Sequence, residues 1–371
     1  MKIVIAPDSF KETLSADKAA MAIQTGFLRV FPEVEYHLLP VGDGGEGTLD
    51  VLAKTLHAER RIVSVTGPFL EPVNAQIAFI HAGQTAFIEM AEICGLQLVP
   101  ENKRDPLTVS TRGVGEMMNY AMGQGAKEII IGVGGTASND GGIGMAAGLG
   151  YEFFDELGNS VLPIGKNLSR IHTMKNNNVR TQLAQTKIRV ITDVTNPLTG
   201  PNGATFVFGG QKGLNEAEMP QVDQAMETFY NRFFGVPKNP GVGAGGGMGA
   251  GLLKFASAEL KLGIDYVIEQ LQLKEICTDA DFVVVGEGRM DGQTSSGKAP
   301  LGVARAVPDG IPVIAICGSV TKDSEKFYQQ GITAIFPSVA SVSTFSEVRQ
   351  DAEQNLVRTA ENVARLLKYA K

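Results

Sequence analysis

Short apolar runs rich in β-branched residues alternate with amphipathic segments at both ends of the chain. Residues 2–6, KIVIA, are almost wholly apolar, the pattern of a strand buried on both faces. Ser15 then stands as a helix N-cap, Ile23, Phe27 and Val30 recur at i, i+4 and i+7, and Pro32 follows the stop. A strand at VEYHLL and a helix over 46–56 follow. The far end repeats this grammar with a strand at 282–285, a helix from 298, a strand at 312–317, a helix from 323, a short strand at 333–336 and a closing helix over 346–369. The two ends are expected to be halves of one doubly wound, Rossmann-like or flavodoxin-like parallel sheet.

Between them the pattern changes. RIVSVTGPFLEPVNAQIAFIH and QTAFIEM are close-spaced strands separated by turn residues, which predicts mixed or antiparallel pairing. Further along come a helix over 110–122, the strand EIIIG, a Gly-rich helix start near Asn139, a hairpin in YEFFDELGNSV, strands at 188–192 and 204–208, and a helix over 216–234. This predicts an inserted mixed α/β domain at 63–261, with 1–62 and 262–371 forming the Rossmann-like domain and the active site in the cleft between them.

Composition narrows the function classes. A formal net charge of -7 argues against a nucleic-acid surface, which needs a basic face. Cys94, Cys277 and Cys317 lie far apart, and the four histidines form no metal-ligand spacing, so neither a disulfide framework nor a zinc site is indicated. No basic leader or long apolar run is visible, and a cytoplasmic location is expected. The chain's 44 glycines are clustered rather than periodic, which places the excess in functional loops.

Those clusters carry the candidate chemistry. Acidic residues arrive just after strand-like runs at 7–11, 42–47, 132–142, 193–196 and 286–298, and at 42–47, 132–142 and 286–298 glycines arrive with them. At the carboxyl ends of parallel strands, glycine lets backbone N–H groups approach an anion. Asp8, Asp43, Glu46, Asp193, Glu287 and Asp291 could supply magnesium ligands and a base, while Lys11, Arg112, Lys212, Arg289 and Lys298 could neutralise phosphate or a substrate carboxylate. Both signs in Gly-rich loops suit phosphoryl transfer.

GQTSSGKA, from Gly292, resembles a P-loop but has Ala299 at the magnesium-binding hydroxyl position, so Gly297 and Lys298 are expected as an anion site at a helix start. GVGAGGGMGAG satisfies G-x-G-x-x-G without a preceding strand, and Gly245, Gly246 and Gly247 are expected to cradle phosphate, a tight packing turn being the plainer alternative. Gly132-x-Gly134-x-x-Ala137, with Glu152 and Asp155 downstream, instead suggests a nicotinamide-dependent hydroxy-acid dehydrogenase.

Taken in order, APDSFKETLSA, PVGDGGEGT, DPLTVSTRGVGE, GVGGTASNDGG, TDVTNPLTGPNGATFVFGGQKG, GAGGG and VVGEGRMDGQTSSGKAPLGVA resemble the type I glycerate kinase family over essentially the whole chain. Where that family usually reads GGSATND, this chain has GGTASND, so both hydroxyls are kept. The resemblance implies ATP-dependent, Mg²⁺-assisted phosphorylation of D-glycerate, with 2-phosphoglycerate favoured over 3-phosphoglycerate as product. Within that expectation Asp193 is the base or orienting carboxylate, Lys11 and Arg289 stabilise the transferring phosphoryl group, and Glu287 and Asp291 hold magnesium. Asp8, Ser9, Asp43, Thr136, Ser138, Asn139 and Asp140 are the expected substrate-binding set. A homodimer is one candidate assembly, and a non-catalytic binder of small organic acids is the alternative of a different class.

Overall fold

The computed structural model describes every residue except 11–12, 43–46, 292–298, 340, 342–343 and 371, together with the side chains of 49, 345 and 370. The chain divides into two compact units, one of Met1–Asp43, Asp50–Leu56 and Leu262–Lys371, the other of Gly44–Leu49 and His57–Lys261.

The first unit is built on five parallel strands, in the spatial order Ala334–Pro337, Val313–Cys317, Phe282–Gly286, Lys2–Pro7, Glu35–Leu38. Both faces of its central strands are covered. Ile3, Ile5, Phe282, Val284, Ile314 and Ile316 share a core with Ile23, Phe27, Leu356 and Ala360 of the helices Ala16–Leu28 and Ala352–Ala370. Val4, Ala6, Val283 and Val285, pointing the other way, are also fully buried, and the helix Ala299–Ala306 meets both central strands. Such two-sided burial explains the unbroken apolar runs, because alternation needs one solvated face. Ser15 caps its helix by accepting from Lys18 N, as its position predicts.

Two expectations need correction here. The segment after Thr321 is a 3-10 helix, Lys322–Gln330, tied down by one buried side chain, Phe327, which is too little apolar surface to favour a longer α-helix. The closing helix is two helices, Phe345–Gln350 and Ala352–Ala370, the first begun by a capping box of Thr344 and Glu347.

The second unit carries a mixed six-stranded sheet in the order Glu259–Leu262, Lys187–Thr192, Glu128–Gly132, Thr85–Glu89, Pro72–Ile80, Glu59–Thr66. The last three pair antiparallel, and Thr85–Glu89, Glu128–Gly132 and Lys187–Thr192 pair parallel. A change of direction within one sheet matches the change of pattern in the sequence. ATFVF is an α-helix, Ala204–Phe208, and not a strand. Its β-branched and aromatic residues suggest a strand, but Ala204 and Thr205 are buried while Phe206 and Val207 are exposed, and adjacent residues sharing a side cannot alternate across a sheet. Glu152–Phe154 pairs chiefly with Thr173–Lys175, so the expected hairpin reduces to a turn closed by the Phe154–Ser160 bridge. The fold is α/β, with one parallel and one mixed sheet. Among the described residues no helix is long and apolar enough to cross a membrane.

Candidate active site

In the first unit, Asp8 and Glu287 each follow a central strand at its carboxyl end. The strands run in register to Pro7 and Gly286, and Asp8 N donates to Gly286 O at 2.9 Å. From Pro7 the chain proceeds to the strand on one side of the sheet, and from Gly286 to the strand on the other. The two carboxylates therefore mark the reversal of strand order, where open parallel α/β sheets leave a crevice. Asp8 is 7% and Glu287 5% exposed. Ser9 N donates to Asp8 Oδ1 at 2.6 Å, which turns the chain sharply off the strand.

The loop beyond Glu287 is pinned from the next strand end, where Gly318 N donates to Glu287 O and Ser319 N to Gly288 O, both at 3.0 Å. Arg289 stands exposed in that loop with Nε 3.3 Å from Asp291 Oδ2. Surface pairs of this kind contribute little to stability, so the guanidinium is available for an anion. Lys11, Asp43, Gly297 and Lys298 lie outside the described residues.

In the second unit the parallel strands end at Glu89, Gly132 and Thr192, and the chain beyond Gly132 and Thr192 carries other candidates. Asp193 follows Thr192 directly and is partly exposed. By contrast Thr136, Ser138, Asn139 and Asp140 are buried. The Asp140 carboxylate accepts from Thr111 Oγ1 at 2.6 Å, Gly142 N at 2.9 Å and Gly144 N at 3.2 Å. Burial pushes its pKa up, while those bonds favour the ionised form. Thr136 and Ser138 hydroxyls lie 2.9 Å apart, Asn139 Nδ2 donates to Thr205 Oγ1 at 3.0 Å, and Tyr230 OH donates to Gly141 O at 2.6 Å. The Thr136 and Ser138 hydroxyls and the Asp140 carboxylate hold the turn from inside.

Gly245, Gly246 and Gly247 are brought against the same turn. All three are left-handed, at φ 64°, 68° and 86°, and Gly246 O accepts from Gly141 N at 3.0 Å. A Cβ on Gly246 would stand 2.1 Å from Ser138 O. Gly246 and Gly247 are buried, so the packing role weighed for this stretch is the one their surroundings support, and Gly245 alone is partly exposed.

The sequence of this chain matches the glycerate kinase family over residues 3–368. The chain belongs to the glycerate kinase family. It is 44% identical over 372 residues to the glycerate kinase of Neisseria meningitidis serogroup B, covering 100% of each chain. It is 45% identical over 377 residues to the glycerate kinase of Bacillus subtilis, covering 100% of this chain and 99% of that one. With the glycerate 2-kinase of Escherichia coli K12 it shares 44% identity over 373 residues, covering 99% and 98%. A crystal structure provisionally described as glycerate kinase 2 from Salmonella typhimurium LT2 superposes with a TM-score of 0.86 at 40% identity, covering 100% of this chain and 99% of that one.

Other features of this glycerate kinase family member fit the assignment. The helix after Gly132-x-Gly134-x-x-Ala137 begins only at Ile143, whereas a dinucleotide fold opens its helix within the glycines. Asp155, one of the two candidate ribose acids, is spent on a local turn, accepting from Leu157 N and Asn159 N. Among the described residues no group of three or more His, Cys, Asp or Glu could form a protein cage for a metal. Mg²⁺ needs no such cage, since one or two carboxylates plus phosphate oxygens suffice, and the hard oxygens of Asp8, Glu287 and Asp291 in the first unit's loops fit that requirement.

Glu89 is a buried carboxylate that sequence reasoning did not single out. It ends its strand and accepts from Gly47 N at 2.8 Å, securing the end of the GDGGEG segment. Its signal was the acidic residue closing the apolar run QTAFIEM. Thr111, which binds both Asp140 and Met145 N, left no signal beyond its place before a helix.

Proposed function

We propose that the protein transfers the γ-phosphoryl group of ATP to D-glycerate, forming 2-phosphoglycerate and ADP. The observation that carries the reading is the pair of acidic strand ends, Asp8 and Glu287, at the reversal of strand order in a member of this family. The strand order, 2-1-3-4-5 when the first unit's strands are numbered along the chain, supports a doubly wound, flavodoxin-like reading of that unit. The 2-phosphate is favoured because a relative 44% identical to this chain is named for that position. Three buried, unpaired thiols suit a reducing cytosol, where ATP is abundant.

In the proposed mechanism Asp193 orients the attacking hydroxyl and takes its proton as the bond to phosphorus forms. Lys11 and Arg289 neutralise the charge on the transferring group, and Gly297 and Lys298 hold the nucleotide phosphates at the start of the helix that follows. Nucleotide contact at Gly245–Gly247 would fall on backbone, chiefly that of Gly245. Asp8, Ser9 and Asp43 would meet the substrate hydroxyls. Thr136, Ser138, Asn139 and Asp140 shape the substrate's binding turn. Magnesium, held by Glu287 and Asp291, would shield the phosphate charge.

Phosphorus NMR of the products formed from ATP, Mg²⁺ and D-glycerate tests the reading. A 2-phosphoglycerate resonance is expected; a 3-phosphoglycerate resonance would overturn the regiochemistry, and unchanged ATP the activity. Glu287→Gln should raise the Mg²⁺ concentration needed for half-maximal rate by about tenfold or more, by analogy with the cost of losing a charged ligand contact. An unaltered Mg²⁺ titration would remove Glu287 from the metal site.

A further inference from the structure

Lys212 is a buried lysine that none of these roles uses. It is 4% exposed, and among the described residues its Nζ makes one hydrogen bond, to Ser138 O at 2.7 Å. An ammonium has three N–H donors, and a neutral carbonyl does not compensate its charge. Asp140 is its nearest carboxylate influence, yet no ion pair joins them among the described residues. One residue beyond Ser138, the fully buried Asn139 leaves Oδ1 without a partner among the described residues.

A second cation roots beside the first. A Cβ on Gly213 would stand 2.3 Å from Arg104 O and 2.8 Å from Arg104 Cβ, so Arg104 packs on the residue next to Lys212. The strand of chain after Arg104 also reaches Asn139, whose N donates to Pro106 O at 3.0 Å. Arg104 is partly exposed, and its buried Nε has no partner among the described residues. Two under-bonded cations and an orphan amide oxygen thus share one corner of the second unit.

We propose that Arg104, Lys212 and Asn139 form the receptor for the carboxylate and one hydroxyl of the acceptor substrate, a short-chain hydroxy acid. The cations meet the carboxylate, Arg104 from the open side and Lys212 from within, and Asn139 Oδ1 accepts from the hydroxyl. A nucleotide phosphate presents acceptors alone and would leave Oδ1 facing like charge, which is why the acid is preferred. This site rests on the glycerate reading above and adds two residues to it.

Kinetics of Arg104→Gln and Lys212→Met test the site, and Arg104, being partly exposed, gives the variant that keeps its fold. KM for D-glycerate should rise about 10- to 100-fold in each, with KM for ATP within about twofold of the parent. A rise confined to KM for ATP would assign the cations to phosphate, and no change in either would mean that buried water satisfies them; both outcomes overturn the proposal. The parent protein offers an independent readout. Burial pushes Lys212 down to about 8, so D-glycerate affinity should be level below that pH and fall by about tenfold per unit above it. Of the groups facing Lys212, burial pushes Cys94 up to about 12 and raises Asp140 as well, against the bonds that favour its charge. A flat profile to pH 10 would remove Lys212 from the carboxylate site. If the parent does not phosphorylate D-glycerate, calorimetric titration with D-glycerate and glycolate separates the two ideas: binding by the parent that Arg104→Gln abolishes upholds the receptor, and binding unaffected by it, or absent in both, overturns it.

Discussion

Asp193→Asn should lower turnover by about two to four orders of magnitude, the range associated with loss of a positioned base, while the protein stays folded. The substitution keeps shape and one acceptor oxygen but removes the charge that would receive the hydroxyl proton. Asp193 follows the parallel strand Lys187–Thr192 directly and is partly exposed, so an uncharged amide there opens no cavity. The loop has its own anchors, with Val194 N donating to Thr192 Oγ1 at 3.3 Å and Gly243 N to Asn196 O at 3.0 Å. Single-turnover rates and a urea unfolding curve would be measured together. Near-parental turnover in a folded variant would take Asp193 out of the mechanism and direct attention to Asp8, at the corresponding strand end of the other unit.

Gly246→Ala should produce the largest loss of stability. Its Cβ would lie 2.1 Å from Ser138 O and 2.8 Å from Asn139 Cα, both backbone, and φ is +68°. Overpacking against backbone and the left-handed conformation together are expected to cost roughly 2–5 kcal/mol. Gly83→Ala is the matched control, because φ there is +84° but a Cβ would meet nothing within 4 Å. Only the conformational part should remain, about 1–2 kcal/mol. Equal urea midpoints for the two variants would show that the approach of Gly246 to the 138–141 turn is not what the glycine serves. Activity in Gly246→Ala should fall with the turn, since Ser138 O is also the acceptor of Lys212.

Strand and helix grammar was legible wherever burial is periodic. KIVIA and DFVVV announced strands covered on both sides, and the shift to close-spaced strands from Arg61 onward announced a sheet with antiparallel members. ATFVF misled because propensity describes single residues, while the folded chain buries the adjacent Ala204 and Thr205 together and leaves Phe206 and Val207 exposed. The closing stretch, expected as one helix, is divided at Asp351, which ends Phe345–Gln350 with its N–H donating to Glu347 O before Ala352–Ala370 begins.

For the site, the residue pattern alone singled out the loops proposed to carry chemistry, because acidic residues placed just after strands, several of them beside clustered glycines, have few structural uses in common. The order of linked motifs from Ala6 to Ala304 also pointed to the family that the match over 3–368 shows. Which side chains face inward depends on contacts that exist once the chain has folded. Thr136, Ser138, Asn139 and Asp140 are sealed into a buried network by Thr111, Thr205, Lys212 and Tyr230, partners that stand 29 to 89 residues away in the chain for the bonds concerned. Burial and hydrogen-bond partnership are properties of residues distant in sequence brought to one place, and local pattern records neither.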